Sequence, residues 1–191
     1  MAAPAQTTGL TYDDLASFPD DRRRRELIGG ELIVTPSPRP RHQQVVAYVT
    51  TELMLYVRAH GGKVYPAPLD VCFAHDDVVE PDVLLLTAAH TARVEERFVR
   101  GAPDIVVEVS SPSTRRLELG RKLELYERYG VPEYWYVDLD ADRVEVYRLV
   151  GEERYDAPEL LLRAGVLTSP LLPGLALPVD DLLGPPEEET A

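Results

Sequence analysis

GAPDIVVEVSSPSTRRLELGRKLELYERYG, residues 101–130, is the stretch whose reading decides the fold. Its front half has the composition of a buried strand, with Ile105, Val106, Val107 and Val109 interrupted only by Glu108. A period of two puts Asp104, Val106, Glu108 and Ser110 on one face and Ile105, Val107 and Val109 on the other. A run that is apolar on both faces belongs to a central strand covered by helices. Burying an unpaired carboxylate there is costly, so Glu108 is paired, protonated, metal-bound or at the strand's exit from the core. A structural ion pair or a solvent-facing strand end explains it as readily as a functional site does. The Ser/Pro turn leads into a helix from about Thr114 to Tyr129, with Ser113 or Thr114 as its cap and Gly130 and Pro132 closing it.

A second strand has the same peculiarity. In VVEPDVLLL, residues 78–86, an extended chain puts Glu80, Asp82 and Leu84 on one face. Pro81 removes a ladder donor and marks an edge, a bulge or a strand entrance. Acids on neighbouring strands are the minimal arrangement for a hard divalent cation, which takes carboxylate oxygens and water at about 2.1 Å in the case of Mg²⁺. Acids in loops and at strand ends are also common, so spacing alone leaves metal binding open. In the helix, Leu119, Leu123 and Tyr126 form the packed stripe, with Lys122 at its edge. A lysine there can lay its methylenes on apolar surface and extend its ammonium towards the acids of the sheet. Beside a metal-binding carboxylate pair it would position water or stabilise phosphoryl charge; alone it is an ordinary exposed helix lysine.

Elsewhere the chain alternates short elements. Residues 11–19, TYDDLASFP, read as a short helix capped by Thr11 and stopped by Pro19. ELIGGELIV, residues 26–34, reads as a hairpin about Gly29-Gly30. A helix runs from about Arg41 to His60, with Val45, Val49, Leu53, Tyr56 and Val57 on the 3.6 period. Lys63–Ala74 and Val78–Thr87 read as a pair of strands, residues 88–100 as a linker with a short helix, and two further strands flank Asp140-Ala141-Asp142. The pattern predicts an α+β (α/β-like) core, a mixed central β-sheet flanked by helices, and not a regularly alternating doubly wound fold.

The 191 residues, 45% apolar, suffice for a single domain. We divide them into an N-terminal segment (1–19), a domain (20–183) and an acidic tail (184–191). Cys72 is the only cysteine, which excludes an internal disulfide and fits a reducing compartment. No signal-like segment or membrane-spanning run is present, so a soluble cytoplasmic protein is expected. The formal charge of −13 opposes long-range attraction to nucleic acid, yet it is unevenly spread. Residues 180–191 hold five acids and no base, and residues 137–160 hold eight acids against three arginines. Basic residues collect at Arg22–Arg25 and at Arg115, Arg116, Arg121, Lys122 and Arg128.

ELIGGELIVTPSPRPRHQQVV, VVEPDVLLL, GAPDIVVEVSSPSTRRLELGRKLELYERYGVPEYWYVD and, more loosely, LLPGLALPVDDLL resemble a bacterial family described as "putative restriction endonucleases", formerly a domain of unknown function. That family is grouped with the PD-(D/E)xK nucleases, and the resemblance spans about residues 20–183. It implies a restriction-endonuclease-like core and Mg²⁺-dependent hydrolysis of DNA, with Mn²⁺ as a substitute. Pro81-Asp82 would be the motif's Pro-Asp and Glu108 its second acid, the pair holding the metal. Ser110 stands where the usual motif has its lysine, and Lys122 matches the family's displacement of that lysine into the following helix. Glu31 matches an acid common in the family, and His42 is a fifth candidate; a strand-edge charge and a helix-start residue are equally good readings of these two. Arg115, Arg116 and Arg121 would contact phosphates. Homodimers are frequent among such nucleases, and Tyr134-Trp135-Tyr136 with Val146-Tyr147 would supply either an interface or core packing. The charge and Ser110 favour a competing reading, an inactive binding or structural protein on the nuclease fold; a third reading is a metal-dependent hydrolase of a small phosphorylated or nucleotide substrate, for which a strongly acidic surface matters less.

Overall fold

The computed structural model describes residues 8–19, 21, 23–110, 114–151 and 154–185. Arg22, Ser113 and the part of the acidic tail beyond residue 185 lie outside the described residues. The chain opens with α1 (Tyr12–Leu15), whose start is held by Asp14 accepting the Thr11 N–H at 2.8 Å. Strands β1 (Arg24–Ile28) and β2 (Glu31–Thr35) form the expected hairpin. Gly29 and Gly30 take positive φ (59° and 71°) as a two-residue turn of this hand requires. Helix α2 (Pro40–His60) follows, with Pro40 in its first turn, where a missing N–H costs nothing.

The two long strands expected over Lys63–Ala74 and Val78–Thr87 are each broken in two. They form β3 (Lys63–Pro66), β4 (Asp70–Ala74), β5 (Asp77–Val79) and β6 (Val83–Leu86). Pro66 and Pro68 on one side and Pro81 on the other interrupt both ladders at the same level, so the hairpin folds there and joins two sheets. Its tip, β4 and β5, enters a five-stranded sheet ordered β2-β1-β5-β4-β7, where β7 is Phe98–Arg100. Its base, β3 and β6, enters a mixed sheet with β8 (Ile105–Val109), β9 (Glu133–Asp138), β10 (Arg143–Val150) and β11 (Arg154–Tyr155), ordered β11-β10-β9-β8-β6-β3. Strand β12 (Glu159–Leu162) also pairs with β10.

Strands β8 and β9 run parallel, so the chain between them must cross over one face of the sheet. The crossover is the predicted helix, and it is not uniformly α. It comprises α3 (Arg115–Leu117), a π segment (Glu118–Lys122) around Gly120, and α4 (Leu123–Arg128). The extra residue per hydrogen-bonded ring turns Glu118 and Lys122 inward, whereas Leu119 and Leu123 of the expected stripe are only half-buried.

The period of two read from the sequence holds in the folded sheet. Val83 and Leu85 of β6, Ile105, Val107 and Val109 of β8, and Trp135 and Val137 of β9 pack with Val45, Val49 and Leu53 of α2 and with α5 (Val179–Leu183). Leu84, Leu86, Val106, Tyr134 and Tyr136 pack on the opposite face with Leu125 and Tyr126 of α4 and with the smaller sheet. The aromatic run is therefore core: Tyr134, Trp135 and Tyr136 are each 0% exposed and offer nothing to an interface. No helix among the described residues is long and apolar enough to cross a membrane.

Candidate active site

Asp82 and Glu108 lie at one end of the central sheet, with the Glu108 side chain on the face covered by the crossover helix. The antiparallel register pairs Val83 with Val107, so one rung further on Asp82 lies beside Glu108. Strand β6 has ended there, and the Val109 N–H is satisfied by the Asp82 side chain, whose Oδ2 accepts it at 2.7 Å. The same oxygen lies 3.1 Å from His42 Nε2. An ionised carboxylate only accepts, so this contact fixes the proton on Nε2. His42 thus belongs to the cluster and orients Asp82 from the first turn of α2.

Lys122 is 2% exposed and not at a stripe's edge. Its ammonium sits 2.8 Å from Glu108 Oε1 and 2.7 Å from Glu26 Oε1, a bridge between two buried acids. Tyr126 donates its hydroxyl to the same Glu108 oxygen at 2.6 Å. Glu26, 0% exposed on β1, also accepts the Glu80 N–H at 2.9 Å. Glu26 is the acid that sequence reasoning missed, and Glu31 is not in the cluster. Glu31 opposes Ile28, two rungs beyond Glu26 towards the turn; its side chain is 53% exposed and pairs with Arg121 at 3.0 Å. The missed signal was the alternation Arg24, Glu26, Ile28, which places two charges on the face that Ile28 turns to the core. Ser110 Oγ is occupied elsewhere, accepting the Leu139 N–H at 3.2 Å, and Lys122 supplies the cationic group from the helix.

Arg24 completes the cluster. Its NH1 donates to Asp82 Oδ1 at 2.9 Å, and the guanidinium lies 3.9 Å from Glu108 Oε2 and 4.0 Å from Glu26 Oε1. Even so, acids outnumber cations: Glu80 and Glu118 are also close enough to feel this cluster. Burial favours the neutral form of Asp82, but the His42 hydrogen bond, Arg24 and the Val109 N–H outweigh it and hold the carboxyl well below the usual range. For Glu108 burial wins and raises its pKa, with Lys122 opposing and Asp82 adding repulsion. Burial and the nearby Glu108 push Glu118 up to about 8, and burial takes Glu80 to about 7. Lys122, penalised by burial but held by Glu108 and Glu26, is raised to about 12.

A cleft of about 710 Å³ opens over Asp82 and His42, bordered by Arg23, Arg24, Arg39 and Glu118. Of the arginines expected to face nucleic acid, Arg115 is paired with Asp138 and Arg121 with Glu31, while Arg116 is exposed. Among the described residues no three acidic, histidine or cysteine side chains are grouped as a ready-made metal cage. The donor set nevertheless fits a hard cation. Glu26 Oε2 and Glu108 Oε2 are buried without a hydrogen-bond partner among the described residues, and with the ionised Asp82 they present oxygen ligands of the type Mg²⁺ takes.

Comparison with known proteins agrees with this core. A putative nuclease belonging to DUF820 from Anabaena variabilis superposes with a TM-score of 0.76 at 21% sequence identity, covering 91% of this chain and 97% of that one. No curated protein matches the chain significantly. The family model described as "Uma2: Putative restriction endonuclease" matches residues 11–180, and the chain belongs to that family.

Proposed function

We propose that the protein is a divalent-metal-dependent endonuclease that hydrolyses DNA phosphodiester bonds. The observation that carries this reading is the buried Lys122 bridge between Glu26 and Glu108, with Asp82 alongside at the floor of an open, arginine-bordered cleft. A bare structural ion pair has no need of three further acids, nor of carboxylate oxygens left unpaired. Asp82, Glu108 and Glu26 would hold Mg²⁺, or Mn²⁺ in its place. The bound ion would polarise the scissile phosphate and acidify a water. His42 and the Val109 N–H keep the Asp82 carboxylate ionised and aimed. Lys122, held protonated by the two glutamates, would orient the attacking water or neutralise charge as it develops on the phosphoryl oxygens. Arg23 and Arg39 at the rim would take the flanking phosphates, so that local cations offset the net charge of −13.

The inactive-scaffold reading keeps support from that net charge, and the small-substrate reading from a cleft of only about 710 Å³. Incubating the purified protein with supercoiled, linear, branched and single-stranded DNA and with free nucleotides, in Mg²⁺, Mn²⁺ or EDTA, separates the three. Metal-dependent cutting of at least one DNA form is expected. Folded protein that cuts none of them, with either ion, contradicts the endonuclease reading; turnover of nucleotides alone would move the assignment to the small-substrate hydrolase.

A further inference from the structure

Arg24 is the cation of this cluster that is poorly matched to its place. A guanidinium has five N–H donors in a planar fork, and a structural partner of a carboxylate usually binds it with two parallel hydrogen bonds. Among the described residues Arg24 makes a single hydrogen bond to a carboxylate, to Asp82 Oδ1, and its buried Nε and NH2 find no hydrogen-bond partner. One acceptor beside the fork is unpaired too: Glu108 Oε2 lies 3.9 Å from the guanidinium, beyond hydrogen-bond range, and has no hydrogen-bond partner among the described residues. Lys122, by contrast, is in contact with both of its acids and shut in by the helix. Arg24 is the first residue of β1, its side chain is 22% exposed, and it borders the cleft. It can leave the acids by rotating its side chain, without disturbing the β1–β2 ladder.

We infer that Arg24 is a built-in stand-in for the divalent cation: its guanidinium balances Asp82 and Glu108 in the ion-free protein and is displaced into the cleft when the ion binds. The inference rests on reading the cluster as a metal-dependent nuclease centre. It gives both sets of unpaired atoms one explanation, because the carboxylate oxygens gain a ligand-seeking ion and the guanidinium regains water. It also makes Arg24 a competitor of the metal, since a fixed positive charge near the acids weakens binding of a second cation.

The test is Mn²⁺ binding to the full chain without nucleic acid, followed by electron paramagnetic resonance or calorimetry. Arg24→Gln is expected to bind Mn²⁺ at least about tenfold more tightly than the wild type. Arg24→Lys, which keeps the positive charge but loses the planar fork, is expected to bind more tightly by a smaller factor, and it decides the matter if the glutamine variant does not fold. Wild-type protein that binds Mn²⁺ while the folded variant binds it equally or more weakly overturns the stand-in role and leaves the metal site intact. Folded wild type and variant that both fail to bind Mn²⁺ overturn the stand-in role together with the metal-dependent reading.

Discussion

Glu108 and Glu133 sit on adjacent parallel strands of the central sheet, both buried and both with their pKa raised by that burial. They differ in how their oxygens are used. Glu133 Oε2 accepts the Trp135 indole N–H at 2.8 Å and its Oε1 the Ser169 hydroxyl at 2.9 Å, with Arg148 3.6 Å away at the rim. It faces the α2 side of the sheet, next to no other acid among its partners, and every oxygen is occupied. Glu108 gives Oε1 to Lys122 and Tyr126 and leaves Oε2 without a hydrogen bond among the described residues, beside Asp82 and within reach of Glu26 through their shared lysine. A buried carboxylate with both oxygens paired is a structural device. One that keeps an oxygen unpaired among other acids is what the proposed metal-dependent role would use.

That contrast can be broken at several points. The largest effect is expected at Lys122, which serves both glutamates: Lys122→Met leaves two buried acids without their cation. It should lower stability by about 3–5 kcal/mol in denaturant titration and reduce DNA cleavage by at least about a hundredfold. Asp82→Asn keeps an acceptor for the Val109 N–H but removes the charge. Cleavage should again fall by about a hundredfold or more in protein that stays folded, with a smaller loss of stability than in Lys122→Met because the amide oxygen still accepts the Val109 N–H. The two variants together separate loss of the site from loss of the fold.

A smaller effect comes from Glu118, whose carboxyl is raised from the ordinary 4.5 to about 8. The folded protein therefore holds a proton that the unfolded chain releases, and stability on this account falls as pH rises from about 4.5 to 8. Glu118→Gln removes the penalty, so it should raise the melting temperature at pH 8.5 and leave it nearly unchanged at pH 4.5. A gain that grows towards low pH would have the wrong sign. The smallest effect is expected at Glu31, a mostly exposed partner of Arg121: Glu31→Ala should change stability by less than about 1 kcal/mol and leave the cleavage rate unaltered.

Part of the site could be read from local periodicity because Glu108 sits on a regular strand and Asp82 directly before one. The alternation about Glu108 assigned its face correctly, Pro81 marked where a ladder stops, and Asp82 follows from it. Three features were hidden for physical reasons. Alternation says which way a residue points but not which sheet its strand joins, so the hairpin of β3 to β6 read as one pair of strands and not as two halves in two sheets. The π segment has no marker beyond Gly120, and only packing against the sheet reveals that Lys122 is turned inward. Glu26 stood in a run of arginines, where a charge reads as solvated surface; its burial depends on the folded hairpin bringing the second sheet over the first.

Glu108→Gln and Glu133→Gln are the same chemical change on neighbouring strands, and each removes a buried carboxylate charge. The rate of Mg²⁺-dependent nicking of a supercoiled plasmid should fall at least about a hundredfold in Glu108→Gln and stay within about threefold of wild type in folded Glu133→Gln. Equal rates in the two folded variants would contradict the account, because Glu108 would then be no more than what Glu133 is.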